Sequence, residues 1–277
     1  MGLFYVNLIM DVWKKIDSLT GEYLDLRLDQ VIDYERFNLY SIVHHSTSIE
    51  GSTLTQLDTE LLLSEGITAK GKPLEHHLMV QDHFKALSFV LENAEKKTLI
   101  TPELIQAIAS FVMERTGGIV RSIGGDFDTA KGDWRLANVS AGSTRFVDFT
   151  KVKSLVAKLC DALQTKVKSV KNMQEILSLS FDAHYDLVQI HPFGDGNGRA
   201  SRLLMNFIQR YHGQPLTIVY TEDKADYINS LNESRKKEDL TFFREFMCAQ
   251  HIKFLEWEIR KSKELKNDPG KGYSMVF

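Results

Sequence analysis

Residues 191–202 read HPFGDGNGRASR, placing a histidine, a carboxylate, three glycines and two arginines within twelve positions. His191 has an ordinary pKa of about 6.5 and is the natural general base for a hydroxyl near neutral pH. Asp195 is a hard oxygen donor of the kind magnesium prefers, and a lone carboxylate completed by phosphates and water is a usual way to hold that ion. Gly194, Gly196 and Gly198 permit positive φ and close approach of a ligand to backbone. Asn197 is placed to cap a helix beginning beside it. The first amides of that helix then face the loop without internal partners, and with the helix dipole they form an anion site. Arg199 and Arg202, three apart in the first turn, add charge-assisted bonds to phosphate oxygens. The set suits a nucleotide polyphosphate and a hydroxyl nucleophile. A glycine turn with incidental surface charge is the plain alternative, and it does not account for so many cooperating positions.

Helices must position this loop. Pro192 disfavours helical geometry at His191 and ends one helix there, while Phe193 pins the turn into the core. Apolar residues recur every three or four positions in 74–97, 101–117 and 151–167. Further helices are expected over about 173–190, 198–211 and 240–266. Thr101, Pro102 and Glu103 form a strong helix start, and Gly117–Gly118 is the expected stop. Residues 124–150 break the pattern: WRLANV and TRFVDF flank SAGS and read as a small β-hairpin leaning on the helices. The fold class is therefore mainly α. The opening MGLFYVNLIMDVWKK reads as a helix burying Leu3, Phe4, Val6, Leu8, Ile9 and Val12. It has no basic leader region, and no run in the chain approaches the length of a membrane span. The tail KNDPGKGYSMVF reads as loosely attached.

The 277 residues are 43% hydrophobic and carry a net charge of −3, with cations spread along the chain, which argues against nucleic acid and membrane partners. Two cysteines, Cys160 and Cys248, lie far apart, so neither a disulfide framework nor structural zinc is expected, and a reducing cytoplasm fits. His44, His45, His76, His77 and His83 lack metal-binding spacing and read as packing or surface residues, as does His184. Trp13, Trp134 and Trp257 read as packing anchors.

The stretch from His191 resembles the Fic signature HxFx[DE]GNGRxxR at His191, Phe193, Asp195, Gly196, Asn197, Gly198, Arg199 and Arg202. The resemblance extends over about 100–250. It implies a Fic-type helical bundle with a β-hairpin flap, and a division into 1–99 (N-terminal helical region), 100–250 (catalytic core) and 251–277 (C-terminal helix end and tail). It also implies transfer of AMP from ATP to a protein hydroxyl. On that reading His191 is the base, Asp195 holds Mg²⁺ (with Mn²⁺ as an alternative), and Gly196, Asn197 and Gly198 form the anion hole. Arg199 and Arg202 hold the outer phosphates, and Tyr227 and Leu231 neighbour adenine and ribose. Many members carry an asparagine after the matching leucine. Here the nearby residues are Glu233, Ser234 and Arg235. The flap, about 134–149, would align a target protein by strand addition. Members often form dimers that tune inhibition, so a homodimer is one expectation.

Far upstream, STSIEG at 46–51 matches the family's inhibitory motif [ST]xxxE[GN] through Ser46, Glu50 and Gly51. In isolation it reads as a solvated glutamate at a helix end. Beside the signature, it implies that Glu50 pairs with Arg202 and repels the triphosphate. Other classes stay open: transfer of UMP, phosphate or phosphocholine, removal of AMP, or a non-catalytic nucleotide-binding regulator. No DNA-binding or repeat module that would name a target is recognisable.

Overall fold

The computed structural model describes residues 3–28, 34–142 and 144–267. Ten α-helices, two single-turn 3-10 helices (Thr129–Lys131 and Thr221–Asp223) and two small antiparallel hairpins make up the regular structure of these residues. The expected mainly α architecture, with a β-hairpin before the 191–196 loop, is what forms.

The centre is an antiparallel pair, α7 (Met173–Ile190) and α8 (Asn197–Tyr211), joined by the 191–196 loop. Asn172 caps α7 by accepting from the Glu175 amide at 2.9 Å. Leu203, Leu204, Met205, Phe207 and Ile208 on α8 are fully buried, each worth about 1.5–3 kcal/mol relative to exposure. This fixes α8 as a strut packed against α4 (Leu74–Glu95) and α5 (Pro102–Val112), while α6 (Phe149–Lys166) packs on α7. The α2 helix (Tyr34–Ile49) lies on α4, with α3 (Gln56–Glu65) behind it. The α1 helix (Leu3–Asp25) runs along α10 (Thr241–Asn267), and α9 (Lys224–Lys237) packs beside α10. Of the residues expected to be buried in α1, Val12 is partly buried, whereas the side chains of Leu3, Phe4, Val6, Leu8 and Ile9 lie outside the described residues, as does the tail from residue 268. Among the described residues no helix is long and apolar enough to cross a membrane.

Two departures from the sequence reading bear on the site. Thr101 and Pro102 start α5 as expected, but it ends at Val112, short of Gly117. The fully buried carboxylate of Asp82 draws the next turn away, accepting from the Arg115 amide at 2.9 Å and from Arg115 Nε at 2.6 Å. The second departure is in the hairpins. The expected pairing around SAGS shrinks to β3 (Ser140–Ala141) and β4 (Thr144–Arg145). A longer hairpin that the sequence reading did not single out, β1 (Ile119–Ser122) with β2 (Gly125–Asp128), precedes it. Its Phe127, together with Thr129 just beyond it, lies so close to Gly194 that a side chain there would collide with them.

Candidate active site

His191 ends α7 in the left-handed region (φ 50°), which turns the chain sharply away from the helix. Gly196 caps α8 at φ 77° and offers no side chain to its amides. Asn197 does not cap the helix as expected. It is the first helical residue, and its amide bridges back across the loop, donating to Phe193 O and accepting from Phe193 N, both at 2.9 Å. The result is a rigid loop with no side-chain cap, which leaves the leading amides of α8 available to an anion.

An anion of the protein already sits there. α2 ends at Ile49, and Gly51 (φ 105°) reverses the chain, so Glu50 projects from the last turn toward α8. A Cβ on Gly198 would overlap Glu50 Oε1, and it would lie 3.2 Å from Arg202 Nη1. Arg202 Nη2 donates to Glu50 Oε1 at 2.6 Å and to Ser46 O at 2.9 Å, while its Nε donates to Ser46 Oγ at 2.9 Å. Burial pushes the Glu50 carboxyl up, but the charge and hydrogen bond of Arg202 outweigh it and hold the group below its ordinary value. Arg202 Nη1 remains buried without a partner, facing the cradle.

Arg199 is placed differently from its neighbour. It is buried beneath the end of α5, where Nη1 donates to Val112 O at 3.3 Å and Nη2 lies 3.1 Å from Met113 Sδ. The early end of α5 thus exposes carbonyls at the negative pole of its dipole to a guanidinium. Asp195 is exposed, 3.8 Å from Arg199, and accepts from the Gly196 amide at 2.5 Å. Among the described residues no cluster of three metal-ligating side chains exists. Asp195 therefore fits magnesium only as a lone carboxylate completed by phosphate and water.

The His191 ring stacks on Phe146 of the flap at 3.7 Å between centroids and 13° between planes. Arg135, fully buried, ties the flap to this point: its Nε donates to His191 O at 2.7 Å, Nη1 to Ala137 O at 2.7 Å and Nη2 to Val147 O at 2.5 Å. The His191 pKa falls to about 4, chiefly through burial; the Val188 carbonyl and Glu50 oppose this, and Arg135 and Arg235 add to it. The imidazole is neutral at physiological pH, as a base requires.

Tyr227 and Leu231 are not open to a ligand here. Both lie in the apolar cluster with Phe243 and Met247, and the Tyr227 hydroxyl pairs with His184 Nε2 at 2.9 Å while interacting with Arg202. Behind the arginines, His83 is fully buried with both ring nitrogens unpartnered. The asparagine that follows the matching leucine is present as Asn232, directly after Leu231 and before Glu233, Ser234 and Arg235; its Oδ1 accepts from Arg235 Nη1 at 3.3 Å. Arg135, Phe146 and Asp82 were also missed. A buried guanidinium, a ring stack and an early helix stop leave no periodic signal.

Residues 99–209 match the model of the Fic/DOC family. The chain is 31% identical over 223 residues to protein adenylyltransferase fic-1 of Caenorhabditis briggsae, covering 79% of this chain and 41% of that protein. It is 28% identical over 249 residues to protein adenylyltransferase Fic of Nematostella vectensis, covering 83% and 54% respectively. The chain thus spans about half the length of these curated relatives. Its fold superposes with a TM-score of 0.75 on a Fic domain containing signaling protein from Bacteroides thetaiotaomicron, at 23% identity, covering 90% of this chain and 98% of that one.

Proposed function

The chain belongs to the Fic/DOC family through the domain at residues 99–209, and on that premise we propose that it is a protein adenylyltransferase restrained by its own Glu50. The substrate is ATP, and the acceptor is a serine, threonine or tyrosine hydroxyl of a target protein presented along the flap at about 134–149. Residues 1–99 carry the restraint, 100–250 the chemistry, and 251–277 the end of the C-terminal helix and the tail.

His191 takes the hydroxyl proton as the target oxygen bonds to the α-phosphorus, and the bond from that phosphorus to the bridging oxygen breaks, releasing pyrophosphate. Gly196, Asn197 and Gly198 supply the oriented loop and helix terminus that steady charge on the phosphates. Arg202 offers Nη1, buried and unpartnered, to the outer phosphates. Arg199 supports the same charge from beneath α5. Asp195 would hold a magnesium or manganese ion, which when bound spreads the charge of the phosphates. Tyr227 and Leu231 back the arginine and would meet the nucleoside only after their cluster opens.

One observation carries this reading: Glu50 occupies the cradle over Gly198 in the grip of Arg202. A pocket that fits a carboxylate at a helix terminus and two arginines fits phosphate, and a tethered occupant excludes a free one. The test is the Glu50→Gly protein with ATP labelled at the α- or γ-phosphate. Label on protein from the α position only, abolished by His191→Ala, supports AMP transfer; label from the γ position supports phosphate transfer; no label from ATP, UTP or other donors refutes a transferase.

A further inference from the structure

Phe146 lies flat on the His191 ring, and the Arg235 guanidinium lies 5.4 Å from the Phe146 ring centroid. Arg235 is itself fixed from three elements. Its Nε donates to Gln189 Oε1 on α7 at 2.5 Å, and its Nη1 donates to Thr144 Oγ1 of the flap at 2.8 Å and to Asn232 Oδ1 of α9 at 3.3 Å. The flap has only two-residue strands, and its ladder holds Phe146 by one further backbone bond, from the Phe146 amide to Val139 O at 3.3 Å. Arg235 outside and Arg135 inside reinforce this weak ladder.

We infer that Phe146 is a positioning residue for His191: it fixes the plane of the imidazole and keeps water from one face, with Arg235 as its clamp. The inference rests on the proposed transferase reading. The stack covers a ring face and leaves the in-plane nitrogen lone pair, where a proton arrives, accessible to a hydroxyl. A loose imidazole would rotate away from the near-attack orientation, and errors of this size cost on the order of 100-fold in rate. Around the ring, Arg135, Arg235 and Glu50 are the charges that act on it. Removing Phe146 admits water without changing any of these charges, so the ring becomes easier to protonate. The flap that would align a target therefore also readies the base.

The experiment is an NMR titration of the His191 imidazole in the full chain, assigned with His191→Gln, comparing wild type, Phe146→Ala, Phe146→Leu and Phe146→Tyr. Phe146→Leu keeps apolar volume without a flat face and serves if the alanine protein fails to fold. Phe146→Ala and Phe146→Leu should each raise the His191 pKa by about one unit or more, and Phe146→Tyr should restore it. In the Glu50→Gly background the same two variants should lose roughly 10- to 100-fold in turnover with KM for ATP unchanged, and the acid limb of the pH profile should move up. An unchanged pKa in both variants, or an equal rise in Phe146→Tyr, overturns the inference. The titration needs no transfer, so a protein that shows the shift yet transfers nothing refutes the transferase reading alone.

Discussion

Glu50→Gly removes the carboxylate that stands in the phosphate cradle, and the size of the effect can be worked from its contacts. A hydrogen bond to a charged partner contributes about 1.5–3 kcal/mol, and a carboxylate at a helix N-terminus adds about 0.3–1 kcal/mol. Glu50 is about a third exposed, with 31% of its side chain accessible, so screening favours the lower end, about 2–3 kcal/mol. At about 1.4 kcal/mol per decade this is roughly 30- to 150-fold. Arg202 keeps both contacts to Ser46 in the variant, so the cradle stays formed. The assay is incorporation of α-labelled AMP across a wide ATP range, with calorimetry for ATP affinity. Glu50→Gly should gain roughly 30- to 150-fold in kcat/KM for ATP, and Glu50→Gln, which keeps size and one hydrogen bond but loses charge, should fall between it and wild type. Equal activity of wild type and Glu50→Gly at every ATP concentration would refute the reasoning. Inhibition in Glu50→Gln equal to wild type would show that bulk, not charge, excludes the phosphate.

Ser46→Ala removes the hydroxyl that accepts from Arg202 Nε and should cost about 1 kcal/mol, read as a Tm lower by roughly 2–4 °C. Asp82→Ala strips the turn after α5 of its anchor; Arg115 is 42% exposed and resolvates, so the loss should be about 1.5–3 kcal/mol in urea unfolding. In acid, the histidines set the sign. His45, His191 and His251 have pKa values lowered to about 4, and His83 and His184 lie well below their ordinary value, in every case through burial first. The unfolded chain binds these protons near pH 6.5 and the folded chain does not. Stability should therefore fall as pH drops from about 6.5 toward 4, by up to about 1.4 kcal/mol per unit for each such group. A denaturation midpoint that stays constant from pH 7 to 5 would contradict this.

The long helices were legible because each carries an apolar stripe and a local boundary signal: α7 begins at Met173 and ends at Ile190, before Pro192, as read. The candidate loop stood out because its reactive side chains are local, all close to a glycine-rich reversal. The pairing of Glu50 with Arg202 was reached only through motif resemblance, since residues 152 apart carry no mutual periodicity. What stayed hidden depends on tertiary capture. Buried Asp82 shortens α5, Asn197 spends its side chain on Phe193, and Arg135 converts a weak hairpin into a fixed flap. None of these is a preference of its own segment.

Arg135 couples the flap to His191. One guanidinium grips the carbonyls at both feet of the flap and the carbonyl of His191, so the ends of the flap and His191 move as one piece. Retargeting this scaffold by loop grafting should then be modular only between those feet: residues 139–145 can be exchanged for new specificity, provided position 144 keeps a hydroxyl for Arg235, while Arg135, Ala137, Asn138, Phe146 and Val147 set the frame. A graft that crosses the feet would alter target choice and turnover together, and the two could not be optimised in turn.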